Sequence, residues 1–118
     1  MRERGTGTFS PSVPDAALSP DSALDYLAEL STDIRSAVVL DGAGRRLAGP
    51  ESLAGPARDL LAACDAPVVE VETPQGLVVA ARSAGHVLVV VAGRQALPAL
   101  VRWDVLHTVS ELESGGDA

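Results

Sequence analysis

The sequence predicts a single three-layer α/β/α domain of the α+β kind, built on a five-stranded antiparallel sheet. Three observations lead there. Two short runs, Ala37 to Leu40 and Val87 to Ala92, are apolar on both strand faces, as central strands covered on both sides must be. Two others, Arg45 to Ala48 and Val68 to Thr73, are half polar and belong at sheet edges. Tight-turn residues rather than long crossovers separate consecutive strands, which makes neighbours antiparallel.

The elements follow in order. Residues 1–18 mix Gly, Thr, Ser and Pro without a period of 2 or 3.6 and read as a flexible tail. Ser19-Pro20-Asp21 then starts a helix, with a hydroxyl to cap free amides, a proline whose missing N–H costs nothing there, and an acid for the dipole. Ala23, Leu24, Leu27, Leu30 and Ile34 repeat at three- and four-residue steps, one apolar helical face. Ser36 to Leu40 is a strand, and Asp41-Gly42-Ala43-Gly44 turns it into the polar strand Arg45 to Ala48. After Pro50, Leu53, Ala57, Leu60, Leu61 and Cys64 align as a modest second helix punctuated by Gly55-Pro56.

Val68 to Thr73 alternates valines with Glu70 and Glu72, Pro74-Gln75-Gly76 turns the chain into Leu77 to Arg82, and Ala84-Gly85 turns it into Val87 to Ala92. The last helix runs from about Leu97 to Leu112, tolerating Pro98 in its first turn, with the stripe Leu97, Leu100, Val101, Val105, Leu106, Val109 and Leu112. The element order is α-β-β-α-β-β-β-α. The simplest sheet that keeps the hairpins and centres the apolar strands has order 2-1-5-4-3. The expected domain is 19–113, with a disordered C-terminus at 114–118.

Composition narrows the function classes. At 118 residues, 47% hydrophobic and 21% charged, the chain is globular and large enough for one core. The formal net charge is −7, all nine basic residues are arginines and aromatics are 3%. Neither counterion release nor base stacking has the groups it needs, so nucleic acid is not expected as a partner. The absence of lysine and asparagine beside abundant Ala, Gly, Arg and Val reflects a GC-rich, bacterial type of codon use. One cysteine, Cys64, excludes an intrachain disulfide and a cysteine-built metal site and fits a reducing cytoplasm. The longest apolar run, Val87 to Ala92, is far below the roughly 18 residues of a spanning helix, so no membrane insertion is expected.

Leu27-Ala28-Glu29-Leu30, the segment Ile34-Arg35-Ser36-Ala37-Val38-Val39-Leu40-Asp41-Gly42-Ala43-Gly44, and the inner strands Leu77 to Ala81 and Val87 to Ala92 together resemble the Roadblock family of dynein-light-chain-like domains. This is a branch of the Roadblock/longin superfamily with a profilin-like architecture. The likeness spans about residues 20 to 112. It implies a homodimer or heterodimer acting as a non-catalytic scaffold or regulator for small GTPases, motors or other signalling proteins, with no catalytic residue. On family grounds the dimer interface is expected at the second helix and the neighbouring edge strand, through Leu53, Ala57, Leu60, Leu61, Val69 and Val71. One departure is visible: the helix is short and broken by Gly55-Pro56, where family members often have a longer one.

The chemistry-bearing residues support no catalytic, cofactor or metal site. Asp41 precedes Gly42 without a second acid nearby and reads as a turn residue. His86 and His107 have no His or Cys at ligand spacing and read as unrelated, partly exposed histidines. Cys64, beside Asp65 at a helix C-terminus, reads as a packing residue rather than a reactive thiolate. No Gly-x-Ser-x-Gly elbow positions a nucleophile, and a phosphate-binding Gly-x-x-x-x-Gly-Lys is impossible without lysine. Arg45 and Arg46 read either as a docking patch or as solvated edge charges, and nothing marks Arg58 as an arginine supplied to a GTPase. Trp103 lies half a turn from its stripe and reads either as an exposed anchor for a partner or as core. The alternative function is a PAS- or GAF-like ligand-sensing domain, which requires an apolar cavity of roughly 300 Å³ or more.

Overall fold

A computed structural model describes residues 19–83 and 85–116. The tail expected at 1–18, the turn residue Ala84 and residues 117–118 lie outside the described residues. The elements are α1 (Pro20–Leu30), β1 (Ile34–Asp41), β2 (Arg46–Ala48), α2 (Glu51–Ala63), β3 (Val68–Thr73), β4 (Gly76–Ser83), β5 (His86–Ala92) and α3 (Pro98–Gly116). They form one antiparallel sheet in the order β2-β1-β5-β4-β3, the order that the apolar and half-polar strands predict. β4 and β5 pair without a shift from Leu77 opposite Ala92 to Ser83 opposite His86. β1 pairs with β5 through Val38 opposite Val89, so the two all-apolar strands lie side by side.

Local chemistry sets the element ends. Ser19 caps α1 by accepting from the Ser22 amide at 3.1 Å, with Pro20 just inside. In the β1–β2 turn, Asp41 Oδ1 accepts from the amides of Ala43 and Arg45 at 2.8 and 2.9 Å, and the Gly44 amide donates to the Asp41 carbonyl at 3.0 Å. Gly49, at φ +98°, lets the chain leave β2: a Cβ there would collide with the Ala37 carbonyl oxygen and with Val38 Cα.

Alternation divides the core between the sheet's two faces. On one face Ala37, Val39, Leu77, Val79, Leu88 and Val90 pack under α1 and α3, which contribute Ala23, Leu27, Val101, Val105, Val109 and Leu112. On the other, Val38, Leu40, Ala80 and Val89 meet Ala54 and Ala57 of α2, two small residues that allow close approach. α2 packs chiefly on β1, so the β3–β4 half of this face is only partly covered.

Three expectations need correction. α2 is not broken at Gly55-Pro56 but runs through Pro56 as one helix. A proline's ring crowds both the N–H and the Cβ of the residue before it; Gly55 has no Cβ, which removes one of those two contacts and eases the helix through Pro56. Leu97, Leu100 and Leu106 are not core: they are 62%, 60% and 40% exposed, while Val101, Val105, Val109 and Leu112 of the same stripe are buried. Thr108 takes the buried place between them, its hydroxyl donating to the Asp104 carbonyl at 2.8 Å. Finally, α3 continues to Gly116, so residues 114–116 of the expected disordered C-terminus are helical.

Candidate functional site

The first candidate face is a groove of about 190 Å³ between α2 and the open half of the sheet, lined by Leu53, Pro56, Ala57, Leu60, Val71, Val78 and Val89. Helical spacing turns Leu53, Ala57 and Leu60 to one side of α2. Pairing of Val71 with Val78 puts both valines on the sheet face beneath that helix. Four of the six expected interface residues therefore meet in one groove. Val69 packs against the same apolar cluster, one strand step along. Leu61 packs against that cluster too, and also lines a neighbouring cleft with Asp41, Gly44, Arg58 and Arg82.

Register disposes of the acids on the edge strand. Glu70 and Glu72 pair with Val79 and Leu77, whose side chains belong to the α1–α3 core, so both acids point away from the α2 groove. Glu70 is matched by Arg102 of α3 at 2.9 Å. The apolar side chains on the α2 side of β3 are Val69 and Val71, the latter 36% exposed on a strand with one free edge.

The second face lies across the sheet. α1 and α3 run antiparallel, bringing Leu30 beside Leu97, Leu100 and Asp104 and Tyr26 beside His107. Trp103 is 63% exposed and stacks on the His107 imidazole, with ring centroids 5.4 Å apart and planes 13° off parallel. Of the two readings of Trp103, the structure therefore has the exposed one. His107 acts as a spacer between Trp103 and Tyr26, whose centroid is 6.1 Å from its own.

Arg45 and Arg46 do not join Trp103. Arg45 Nε donates to Asp41 Oδ2 at 2.9 Å, and Arg46 donates to Glu51 at 2.8 Å and to the Gly49 carbonyl at 3.0 Å, so both arginines organise the β2 edge. Arg58 is likewise engaged, donating to the Gly44 carbonyl at 2.6 Å and facing Glu51 at 3.7 Å. Hydrogen bonds to two amides and to a guanidinium hold the Asp41 carboxyl below the usual carboxylate range, the Arg45 amide being the largest cause. Arg82, which sequence reasoning passed over, reaches from β4 to the carbonyls of Leu61 and Cys64 and closes the C-terminus of α2. Its signal was faint: an arginine at the end of an otherwise apolar strand. His86 sits at the start of β5 opposite Asp41 in register, remote in sequence and structure from the Trp103–His107 stack.

Among the described residues no group of three or more His, Cys, Asp or Glu side chains converges as a metal site. No described helix is long and apolar enough to cross a membrane. The larger cleft lined by Thr32, Asp33, Arg35, Gly93, Arg94 and Gln95, about 330 Å³, is polar and open at the surface.

No protein-family model matches the sequence, and no curated protein matches it significantly. Solved structures do. A Roadblock/LC7 domain from Streptomyces avermitilis superposes with a TM-score of 0.68 at 22% identity, covering 77% of this chain and 95% of that one. A second Roadblock/LC7 structure from the same organism gives 0.61 at 24% identity over 75% and 93%. The gliding protein mglB from Thermus thermophilus gives 0.63 at 17% identity over 90% and 99%. Element order, strand order and these superpositions agree: the chain has the Roadblock/LC7 fold.

Proposed function

We propose that the chain is a non-catalytic, cytoplasmic scaffold or regulator that pairs with a second copy of itself and, so paired, binds a small GTPase or another signalling protein. The observation that carries the pairing is the continuity of the α2 groove with the free edge of β3. Leu53, Leu60 and Val71 leave apolar surface beside unpaired backbone groups, and both acids of that strand face the other way. Strand addition across β3 would extend the sheet while the grooves close on each other. The partner class comes from the resemblance to Roadblock domains, and the fold supports it.

Light scattering on the full chain tests the pairing. The wild type is expected at twice the 12.1 kDa chain mass at tens of micromolar. Val71→Arg is expected to give the monomer with an unchanged circular dichroism spectrum. A monomeric wild type at that concentration removes the proposal. Pull-down with the small GTPases of the source cell, in both nucleotide states, tests the partner. The ligand-sensing alternative is disfavoured by the cavities: among the described residues the apolar groove beside α2, about 190 Å³, and the apolar cleft between α1 and α3, about 280 Å³, are open surface grooves and neither reaches the roughly 300 Å³ of an enclosed sensor pocket.

A further inference from the structure

The α1–α3 face is apolar, grooved and acidic, and the α2-face pairing leaves it free. Leu30, Leu97, Leu100, Val101 and Asp104 line a cleft of about 280 Å³ between the end of α1 and the start of α3. Exposed apolar surface continues along α3 from Leu97 through Leu100 to Trp103, with Tyr26 and His107 on the α1 side. From Leu97 to His107 is about 15 Å at 1.5 Å per residue, close to three helical turns. The exposed Trp103, with Tyr26 beyond His107, supplies the aromatic anchors that dominate binding hot spots, and the leucines supply the apolar surround that excludes water.

Charge identifies the occupant. Asp104 is half-buried in the cleft wall, and among the described residues no side chain or amide donates to its carboxylate; burial pushes the Asp104 carboxyl up from its ordinary pKa, opposed only in part by His107. Asp25 and Glu29, one turn apart on the exposed side of α1, add two acids without an ion-pair partner among the described residues. The nearby Arg102 is committed to Glu70. A second copy would set the same acids against themselves. In residues 1–18 the side-chain charges of Arg2 and Arg4 are balanced by Glu3 and Asp15, so the segment is not a basic helix.

We propose that the α1–α3 groove docks a basic amphipathic helix of a partner protein, its apolar face on Leu30, Leu97, Leu100 and Trp103 and an arginine or lysine against Asp104. Two antiparallel helices offer a third a seam in which to lie, the helix-in-groove mode of recognition. The site does not rest on pairing through α2, since the sheet separates the two faces.

A photo-crosslinking amino acid placed at Trp103 of the full chain, expressed in its own cells, tests this, with the crosslinked segment sequenced. The expected adduct joins position 103 to a segment of another protein that is apolar on one helical face and carries Arg or Lys at helical spacing. Its yield should fall at least about tenfold with Asp104→Arg, because the change replaces an attraction by like-charge repulsion in the cleft, which costs more than one decade of affinity. It should persist with Val71→Arg. The synthetic segment should then shift Trp103 fluorescence on titration into the wild-type full chain, with weaker binding to Asp104→Asn, a near-isosteric change that guards against misfolding. An adduct confined to residues 1–18, to a second copy or to a segment without basic residues overturns the proposal, as does the absence of any adduct or an affinity indifferent to Asp104→Asn.

Discussion

Leu100 and Leu112 are the same residue on the same helix and belong to the same stripe of the sequence, yet Leu112 is 1% exposed and Leu100 60%. Truncation of each to alanine separates burial from pattern. Leu112→Ala removes about three carbon groups at ~0.8 kcal/mol each and leaves a cavity against the sheet, so the expected loss is about 3 kcal/mol. At Leu100 less than half of that transfer energy is at stake, no cavity forms and alanine is the better helix former, so the expected loss is below about 1 kcal/mol. For a domain of this size each kcal/mol moves Tm by about 4–8 °C, which puts Leu112→Ala more than about 12 °C below the wild type and Leu100→Ala less than about 8 °C. Thermal melts followed by circular dichroism at one fixed protein concentration make the comparison, the fixed concentration removing any mass-action contribution from pairing. Equal shifts, or a larger one at Leu100, would refute the assignment of faces on α3 and with it the groove beside Trp103.

Gly49→Ala should lower stability by about 1–3 kcal/mol in urea unfolding, because the residue holds a positive φ and the added carbon meets the backbone of β1. Arg82→Met should cost about 1.5–3 kcal/mol by uncapping α2, and hydrogen exchange should quicken first at the end of that helix. Asp41→Asn should lower Tm at neutral pH. The folded-state pKa of Asp41 is depressed, so its contribution is present above the ordinary value of 3.8 and is lost as pH falls through the folded value; wild type and variant should converge in acid. A gap that instead widens toward low pH would contradict the hydrogen bonds assigned to the turn.

Much of the architecture is legible in the chain because its signals are local. Strand alternation, the turn residues and the contrast between all-apolar and half-polar runs are enough to order five strands, and Ser19-Pro20 marks the start of α1. What stayed hidden depends on distant neighbours. α3 is apolar on most of its circumference, so no period tells which leucines face the sheet; α1 packing against it decides that Leu97 and Leu100 stay outside. The continuity of α2 turned on a pairwise detail, a glycine relieving the proline that follows it. The two-sided edge strand was half legible: the alternation of Val69 and Val71 with Glu70 and Glu72 is plain, but only register shows that Arg102 takes up one of the acids.

The sheet keeps its two apolar surfaces back to back, one under α2 and one under α1 and α3. A twofold pair joined along β3 and α2 would carry its tryptophans outward in duplicate. Such an object binds bivalently: a partner with two basic helices would meet its second seat at an effective concentration fixed by its own linker, and modest single-site affinity would become tight attachment without one additional contact. Stoichiometry, more than the strength of either groove, would then set how the assembly switches.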